Sequence, residues 1–479
     1  MILKVINHQY VYDMKNLCTV FFPYEKIHTE DKEDEPIVVV TEKQENLLSV
    51  FAKVYDVSLK KEHRLEEGEE EQTEMSVLLF DVLSSILGFT PPWGILYGVR
   101  PAKLMHRLTE EMGEENAARK FTQDFLASKA KTDLTVNVMH HENKIIALSD
   151  DKSFSLYVSI PFCPTRCSYC SFVSHSIERT KKLMKPYVDL LIKELEETAK
   201  YADALGLKLR SVYFGGGTPT TLEAEDLTRL FKTIEKNFDF SNLLEYTVEA
   251  GRPDTVTKEK LLALKNADVS RISINPQTFN DKVLEAIGRR HTADRTIEAF
   301  ELARSLGFDN INMDFIAGLP EDTLSSFKNS INKAVELQAE SVTVHTLALK
   351  SAAYLVTREE TFDMKDRLTV SSMVDYADST LASTGYYPYY MYRQSKSLGN
   401  LENVGWCKEG MDCLYNVFMM DETHTVLSVG AGAVIKLKAP VSGHLERIYN
   451  YKYPYEYIND FDEILNRKKR ILTFFDEYE

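Results

Sequence analysis

Three of the chain's six cysteines stand within eight residues, in Cys163-Pro-Thr-Arg-Cys167-Ser-Tyr-Cys170. Thiolates are the natural ligands of iron–sulfur clusters, and a loop carrying three of them can wrap one face of a four-iron cube. Three ligands for four irons leave one iron open. An open metal position is what a catalytic centre needs and a structural one lacks. A structural zinc site would want four ligands, usually as two pairs; no second pair lies close by in the sequence, and His175 is the neighbour that could complete a set. Three thiols in a polar loop have no packing rationale without a metal. The other cysteines, Cys18, Cys407 and Cys413, are scattered.

Two further segments carry chemistry-bearing residues. Gly215-Gly216-Gly217-Thr218-Pro219 removes three successive Cβ atoms, so its backbone can approach a ligand closely. In Thr247-Val248-Glu249-Ala250-Gly251-Arg252-Pro253 a carboxylate closes an apolar strand. Glu249 could accept from hydroxyl or amine groups of a cofactor, or else pair with Arg252 or Arg271.

These motifs need elements to hold them. From about residue 151 to 350, short apolar strands alternate with amphipathic helices. The strands are Ser155–Ile160, Ser211–Phe214, Glu245–Ala250, Arg271–Asn275, Asn310–Phe315 and Ser341–Leu347. The helices repeat apolar residues at helical spacing, as in Leu227, Leu230, Phe231 and Ile234. Thr220 and Glu223 form a capping-box pattern before that helix. Such alternation means right-handed βαβ units and a parallel sheet. Six units predict an α/β fold built as a partial (β/α)6 barrel, with its site at the C-terminal strand ends. The cysteine, glycine and glutamate motifs all fall at those ends.

Residues 1–150 read as an α/β accessory domain. Strands are predicted at Met1–Tyr12, Cys18–Phe22, Pro36–Thr41, Thr135–His140 and Lys144–Ala147, and helices over Glu74–Leu87 and Pro101–Ser128. Residues 351–479 read as an extension or lid. They hold a helix near Lys365–Thr384, the aromatic run Tyr386–Tyr392, a strand carrying Gly430-Ala431-Gly432-Ala433, and a charged helical tail.

The C-x3-C-x2-C spacing after an apolar strand resembles the radical S-adenosylmethionine (SAM) superfamily. The resemblance implies a [4Fe–4S] cluster on Cys163, Cys167 and Cys170, with SAM chelating the open iron and cleaved to a 5′-deoxyadenosyl radical. The glycine segment resembles the part that contacts the methionine amino group. Arg271-Ile-Ser-Ile-Asn275-Pro-Gln277-Thr-Phe279-Asn280, Arg289 twelve residues after Gln277, and Asn312-Met-Asp314-Phe-Ile-Ala-Gly318-Leu-Pro320 resemble one subgroup, the oxygen-independent coproporphyrinogen III oxidase-like proteins. That resemblance covers about 150–350 well and Gly430–Ala433 more loosely. It implies that Tyr157, Tyr169, Gly216, Gly217, Thr218, Glu249, Gln277, Arg289 and Asp314 line sites for one or two SAM molecules.

Two departures separate the chain from the oxidase proper. Phe172, after Ser171, stands where that enzyme has a fourth cysteine, and Ser159 stands where it has a histidine. The heme-chaperone branch also lacks the fourth cysteine but carries a His-Asn…Tyr-Trp segment. Here the corresponding stretch is Cys413-Leu-Tyr415-Asn416-Val-Phe418, without histidine. The N-terminal region, with Pro91-Pro92-Trp93-Gly94 and Gly98-Val99-Arg100-Pro101, resembles a third branch, the HemZ type.

The resemblance implies a tetrapyrrole partner and an electron donor of the reduced flavodoxin or ferredoxin type. For coproporphyrinogen III, the chemistry is hydrogen abstraction from each reacting propionate, loss of CO2 and formation of a vinyl group, with an external electron acceptor. Arginines pair bidentately with propionates, and Arg166, Arg290 and Arg393 are the candidates; the tyrosine run could stack on a macrocycle or pack as a lid. The competing readings are a heme-binding or heme-delivery protein, a radical enzyme acting on heme or another tetrapyrrole by alkyl or methyl transfer, and a tRNA-modifying enzyme. A formal charge of −16 argues against a nucleic-acid partner. The acidic runs Glu30–Glu35 and Glu66–Glu71 read as solvated surface. No stretch of ~18 apolar residues and no signal-peptide pattern is present, so the protein is expected in the cytoplasm, where disulfides are rare.

Overall fold

A computed structural model describes residues 1–29, 35–170, 174–348 and 364–478. Ser171, Phe172 and most of the acidic run at 30–35 lie outside the described residues. The chain divides into two compact units: residues 1–139 with 391–403, and residues 140–390 with 404–479.

The first unit begins with β1 (Ile2–Ile6), α1 (Val11–Phe21), β2 (Ile37–Gln44), β3 (Leu47–Val54) and β4 (Val57–Arg64). Its four-stranded sheet runs β1-β2-β3-β4, with β1 parallel to β2 and the rest antiparallel. The predicted strand Cys18–Phe22 is instead the end of α1. Met14, Leu17, Cys18 and Phe21 repeat at helical spacing and bury one stripe in the core with Leu3, Val39 and Val50. Helices α2 (Glu71–Leu87), α3 (Pro101–Met112), α4 (Glu114–Gln123) and α5 (Lys129–Ile146) follow. The single helix predicted over Pro101–Ser128 is broken at Gly113, whose φ is +84°. The predicted strand Thr135–His140 and all but the last residue of Lys144–Ala147 belong to α5. Lys131, Leu134, Thr135, Val138, Glu142 and Ile145 are buried along it, a period of 3.6 rather than 2.

The Pro-Pro-Trp-Gly segment packs inside this unit. Trp93 is fully buried and donates its indole N–H to Glu402 at 2.7 Å, and Lys131 Nζ lies 2.5 Å from the same carboxylate. The Arg393 guanidinium sits 5.0 Å from the Trp93 ring centre and donates to the carbonyls of Leu96 (2.7 Å), Gly98 (3.3 Å) and Asn400 (3.1 Å).

In the second unit come β5 (Ser153–Ile160), β6 (Phe162–Cys163), β7 (His175–Ser176), α6 (Ile177–Ala204), β8 (Lys208–Gly216), α7 (Ala224–Asn237), β9 (Glu245–Glu249), α8 (Lys258–Lys265), β10 (Arg271–Ser273), α9 (Asp281–Ala286), α10 (Ala293–Ser305), β11 (Ile311–Ala317), α11 (Leu324–Glu336) and β12 (Ser341–Thr346). All six predicted strands are present. They lie side by side and parallel, β5-β8-β9-β10-β11-β12, as expected for a partial (β/α)6 barrel. The capping box at Thr220 is not formed. That residue lies in a 3-10 turn, Pro219–Thr221, and its hydroxyl bonds Thr255 at 2.7 Å, while α7 starts after Glu223.

The remaining elements are α12 (Met364–Ser383), β13 (Tyr387–Arg393), β14 (Glu402–Cys407), α13 (Leu414–Asp421), β15 (Thr425–Val429), β16 (Val434–Lys438), β17 (Leu445–Tyr449), α14 (Pro454–Asn459), α15 (Phe461–Lys468) and α16 (Arg470–Tyr478). They extend the sheet at both edges, β14 and β13 beyond β12 and β15-β16-β17 beyond β5. The tyrosine run is therefore edge-strand β13, with Tyr389 and Tyr390 buried. Gly430-Ala431-Gly432-Ala433 is not a strand but the turn after β15, which runs parallel to β5.

Candidate active site

Side chains alternate faces along a strand, so one face of the parallel sheet collects Tyr157 (β5), Tyr213 (β8), Glu249 (β9), Asp314 (β11) and His345 (β12). All five are half-buried near the C-terminal strand ends. Tyr213 donates to Glu249 Oε1 at 2.6 Å. Burial and then the charge of Asp314 push the Glu249 carboxyl up to about 7, against the pull of the Tyr213 hydroxyl and Arg271. Asp314 moves the opposite way. Burial alone would raise it, but the His345 imidazole, 3.9 Å from Oδ2, and the Asn312 amide (Nδ2 to Oδ1 at 2.7 Å) outweigh that and lower it. The two carboxylates thus hold different protonation tendencies on one wall.

Tyr157, Tyr213 and Tyr415 form a stack. Tyr213 and Tyr415 rings lie 4.4 Å apart at 24°, and Tyr157 lies 6.2 and 5.9 Å from them. Tyr415 comes from α13, whose first amides (Leu414 N at 2.6 Å, Tyr415 N at 3.3 Å) donate to the buried Glu245. A carboxylate at a helix N-terminus is favourably placed. The Cys413 thiol is enclosed there too, 3.5 Å from Glu245, and burial raises its pKa.

The cysteine loop follows β5. It is tied down by the glycine segment on one side, through Gly217 N to Ile160 O (2.8 Å) and Thr218 N to Phe162 O (2.8 Å). A Cβ on Gly217 would stand 2.6 Å from Phe162 O, so the backbones meet where no side chain fits. On the other side the turn after α9 holds the loop, through Ser168 N to Ile287 O (3.0 Å) and Thr165 Oγ1 to Gly288 O (3.0 Å). Cys163 Sγ lies 3.5 Å from Thr218 Oγ1. Cys167 faces two guanidiniums, Arg252 at 3.7 Å and Arg289. All three thiols are free of disulfides. Gln277 holds φ +67° in the segment between β10 and α9 and is buried; Arg289 Nη1 donates to Asn275 O at 2.6 Å in that segment.

The residues suit the cofactors that their types suggest. The donor set is three soft thiols on one short loop, the ligand number with which an iron–sulfur cube keeps one iron open. Beside them lies a cradle without side chains at Gly215–Gly217. The buried Arg289 Nε has no partner among the described residues.

Next to the loop opens a cavity of about 790 Å³. Its wall includes Thr165, Arg166, His175, Arg179, Arg289, Arg290, Lys452 and Tyr453, with Glu178 and Glu285 as its acids. Arg290 is exposed and pairs with Glu178 at 2.9 Å. Of the three arginines expected at a substrate, Arg166 and Arg290 are on this wall. Arg393 belongs to the other unit, where Nη1 and Nη2 donate to backbone carbonyls and Nε has no partner among the described residues. Ser159 also points elsewhere: its hydroxyl donates to Ala431 O at 2.7 Å.

Comparison with known proteins gives these features a family. Residues 157–334 match the model of the radical SAM superfamily. The chain is 37% identical over 404 residues to the "oxygen-independent coproporphyrinogen-III oxidase-like protein HemZ" of Bacillus subtilis, covering 83% of this chain and 80% of that one. The chain belongs to the radical SAM superfamily, in this coproporphyrinogen oxidase-like group. A [4Fe–4S] cluster and SAM are accordingly its cofactors. It is also 32% identical to the "heme chaperone HemW" of Bacillus subtilis, over 63% of this chain and 77% of that one. The solved coproporphyrinogen III oxidase HemN of Escherichia coli shares the fold, with a TM-score of 0.51 at 22% identity over 67% of this chain and 71% of that one.

Arg252, Tyr213, Tyr415 and His345 were not legible as site residues. Tyr213 and His345 lie on the inward phase of strands that were recognised, so alternation could have found them. Tyr415 comes from a helix 101 residues downstream of Asp314, and its segment stood out only as the counterpart of the heme-chaperone His-Asn…Tyr-Trp stretch.

Proposed function

We propose that this chain is a radical SAM enzyme of anaerobic tetrapyrrole metabolism that oxidatively decarboxylates coproporphyrinogen III to protoporphyrinogen IX. The observation that carries the reading is the cationic cavity beside the cysteine loop. Five permanent cations on its wall (Arg166, Arg179, Arg289, Arg290 and Lys452) face two carboxylates, in a chain that is acidic overall. A tetrapyrrole with several propionates is a substrate of complementary charge, and guanidinium forks hold carboxylates in fixed orientation. The volume lies in the usual range of ligand pockets.

In this reading Cys163, Cys167 and Cys170 hold the cluster. Gly216, Gly217 and Thr218 cradle SAM against the loop, and Tyr157, Tyr169, Glu249, Gln277, Arg289 and Asp314 complete its surroundings. When bound, these cofactors supply one-electron cleavage and hydrogen-atom abstraction. The chain contributes placement and shielding. Arg166 and Arg290 orient a propionate at the cavity mouth, and the Tyr157–Tyr213–Tyr415 stack excludes water from the inner wall. Glu249 Oε1, held by the Tyr213 hydroxyl, can carry a proton near neutral pH. The proposed electron source is a reduced flavodoxin or ferredoxin-type protein in the cytoplasm; among the described residues no helix is long and apolar enough to cross a membrane.

The test is anaerobic incubation of reconstituted protein with SAM, reductant and coproporphyrinogen III, read by mass spectrometry. Vinyl-bearing porphyrin formed together with 5′-deoxyadenosine supports the reading. Deoxyadenosine without porphyrin product removes this substrate and redirects the search to heme and related tetrapyrroles. A second reading, heme binding or delivery, is favoured by the similarity to a heme chaperone. A Soret band on mixing with heme, without vinyl product, would select it.

A further inference from the structure

Arg252 lies outside the cavity wall and is only 3% exposed. Its guanidinium is fully committed. Nε donates to Asp254 Oδ1 at 3.0 Å and Nη2 to Asp254 Oδ2 at 3.1 Å, a bidentate fork. The remaining nitrogen, Nη1, faces the cysteine loop, reaching Thr165 Oγ1 at 3.1 Å, Thr165 O at 3.4 Å and Cys167 Sγ at 3.7 Å. The backbone beneath is fixed as well. Thr255 N and Oγ1 both donate to Arg252 O (2.9 and 2.7 Å), and the Thr255 hydroxyl meets Thr220 in the turn after the glycine segment. The arrangement spans the sequence from the loop to the end of β9, with a buried cation aimed at one sulfur.

We propose that Arg252, clamped by Asp254, is a positioning residue that fixes Cys167 and draws charge from its sulfur, raising the reduction potential of the cluster held there. The inference rests on assigning Cys163, Cys167 and Cys170 as cluster ligands. Hydrogen bonds to cluster sulfurs and nearby positive charge are recognised levers on potential, because both favour the more negative reduced state. The fork also explains the residue type. An ammonium could hold Asp254 or the loop, but its point charge cannot present a planar pair to the one and a third donor to the other. Arg289 approaches the same sulfur but also lines the cavity, so its loss would mix effects on substrate with effects on the cluster. Arg252 separates them.

The test is an EPR-monitored redox titration of the full-length reconstituted protein without SAM, comparing wild type, Arg252→Gln and Arg252→Lys. Arg252→Gln is expected to shift the reduced-to-oxidised ratio at fixed potential about tenfold toward oxidised, which for a one-electron couple is 59 mV. Arg252→Lys, which keeps the charge without the fork, should shift it in the same direction by less, and it decides the matter if the glutamine variant does not fold. A variant with wild-type circular dichroism but sub-stoichiometric iron supports the positioning role. Both variants holding full iron, with ratios within twofold of wild type, overturn the proposal. Wild-type protein that assembles no cluster overturns the ligand assignment itself, a separate result.

Discussion

Glu194 and Lys468 are both fully buried, 3.1 Å apart, behind the turn that follows β15. The Glu194 carboxylate accepts from Gly430 N (2.8 Å), Asn450 Nδ2 (2.8 Å) and Tyr457 OH (2.5 Å), and Lys468 Nζ donates to Ser428 O (2.8 Å). Gly430 has φ +95°, and a Cβ there would stand 2.5 Å from the Tyr187 hydroxyl, which itself donates to Ser159 O at 2.8 Å. The C-terminal helices thus brace the backbone immediately before the cysteine loop. Lys468→Met keeps most of the stem but leaves a buried carboxylate without its cation. Breaking such a pair by removing one partner costs about 3–5 kcal/mol, or roughly 10 °C in midpoint at ~2–4 °C per kcal/mol. Urea unfolding followed by circular dichroism measures the loss. The double variant Glu194→Gln/Lys468→Met should recover more than half of it, because the carboxylate left unpaired is the source of the cost. A single variant within about 1 kcal/mol of wild type, or a double variant no better than the single, would refute this account of the brace.

Other consequences are equally direct. Gly217→Ala places a methyl 2.6 Å from Phe162 O and 2.9 Å from Ile160 O. The strain of about 1–3 kcal/mol should pull the loop from its cradle, so iron content after reconstitution falls while far-UV circular dichroism persists. Glu249, raised by burial to about 7, binds its proton more tightly folded than unfolded. Its contribution is therefore present below about pH 4.5 and lost as pH rises through about 7, with an upper size of about 3 kcal/mol. Cofactor-free Glu249→Gln should show a flatter dependence of the urea midpoint between those values, and an unchanged slope would count against the shift. Arg290→Gln breaks only an exposed pair, worth at most about 1 kcal/mol in stability. It should still weaken binding of a polycarboxylate substrate about tenfold, the scale of one charged hydrogen bond, leaving the fold intact; equal affinity in the variant would take Arg290 out of the substrate site.

The sequence by itself determined the partial barrel and its cofactors. Six apolar strands separated by amphipathic helices admit few arrangements, since parallel pairing requires crossovers of one hand. The cysteine spacing, the triple glycine and the terminal Glu249 are local patterns and were legible as such. Short apolar runs were less secure, because four or five residues fit a strand and a helix equally well. Cys18–Phe21, Thr135–His140 and Lys144–Ile146 are helical because their apolar residues close a stripe only over longer stretches. What only the tertiary structure decided is which distant groups share a site. That Arg393 is buried with its terminal nitrogens on the carbonyls of Leu96, Gly98 and Asn400 is one such outcome. Arg252, one of two alternative partners for Glu249 in the sequence, pairs instead with Asp254 and faces Cys167. Charge pairing depends on where side chains end in space, and no spacing along the chain encodes that for residues joined only through the packing of the sheet.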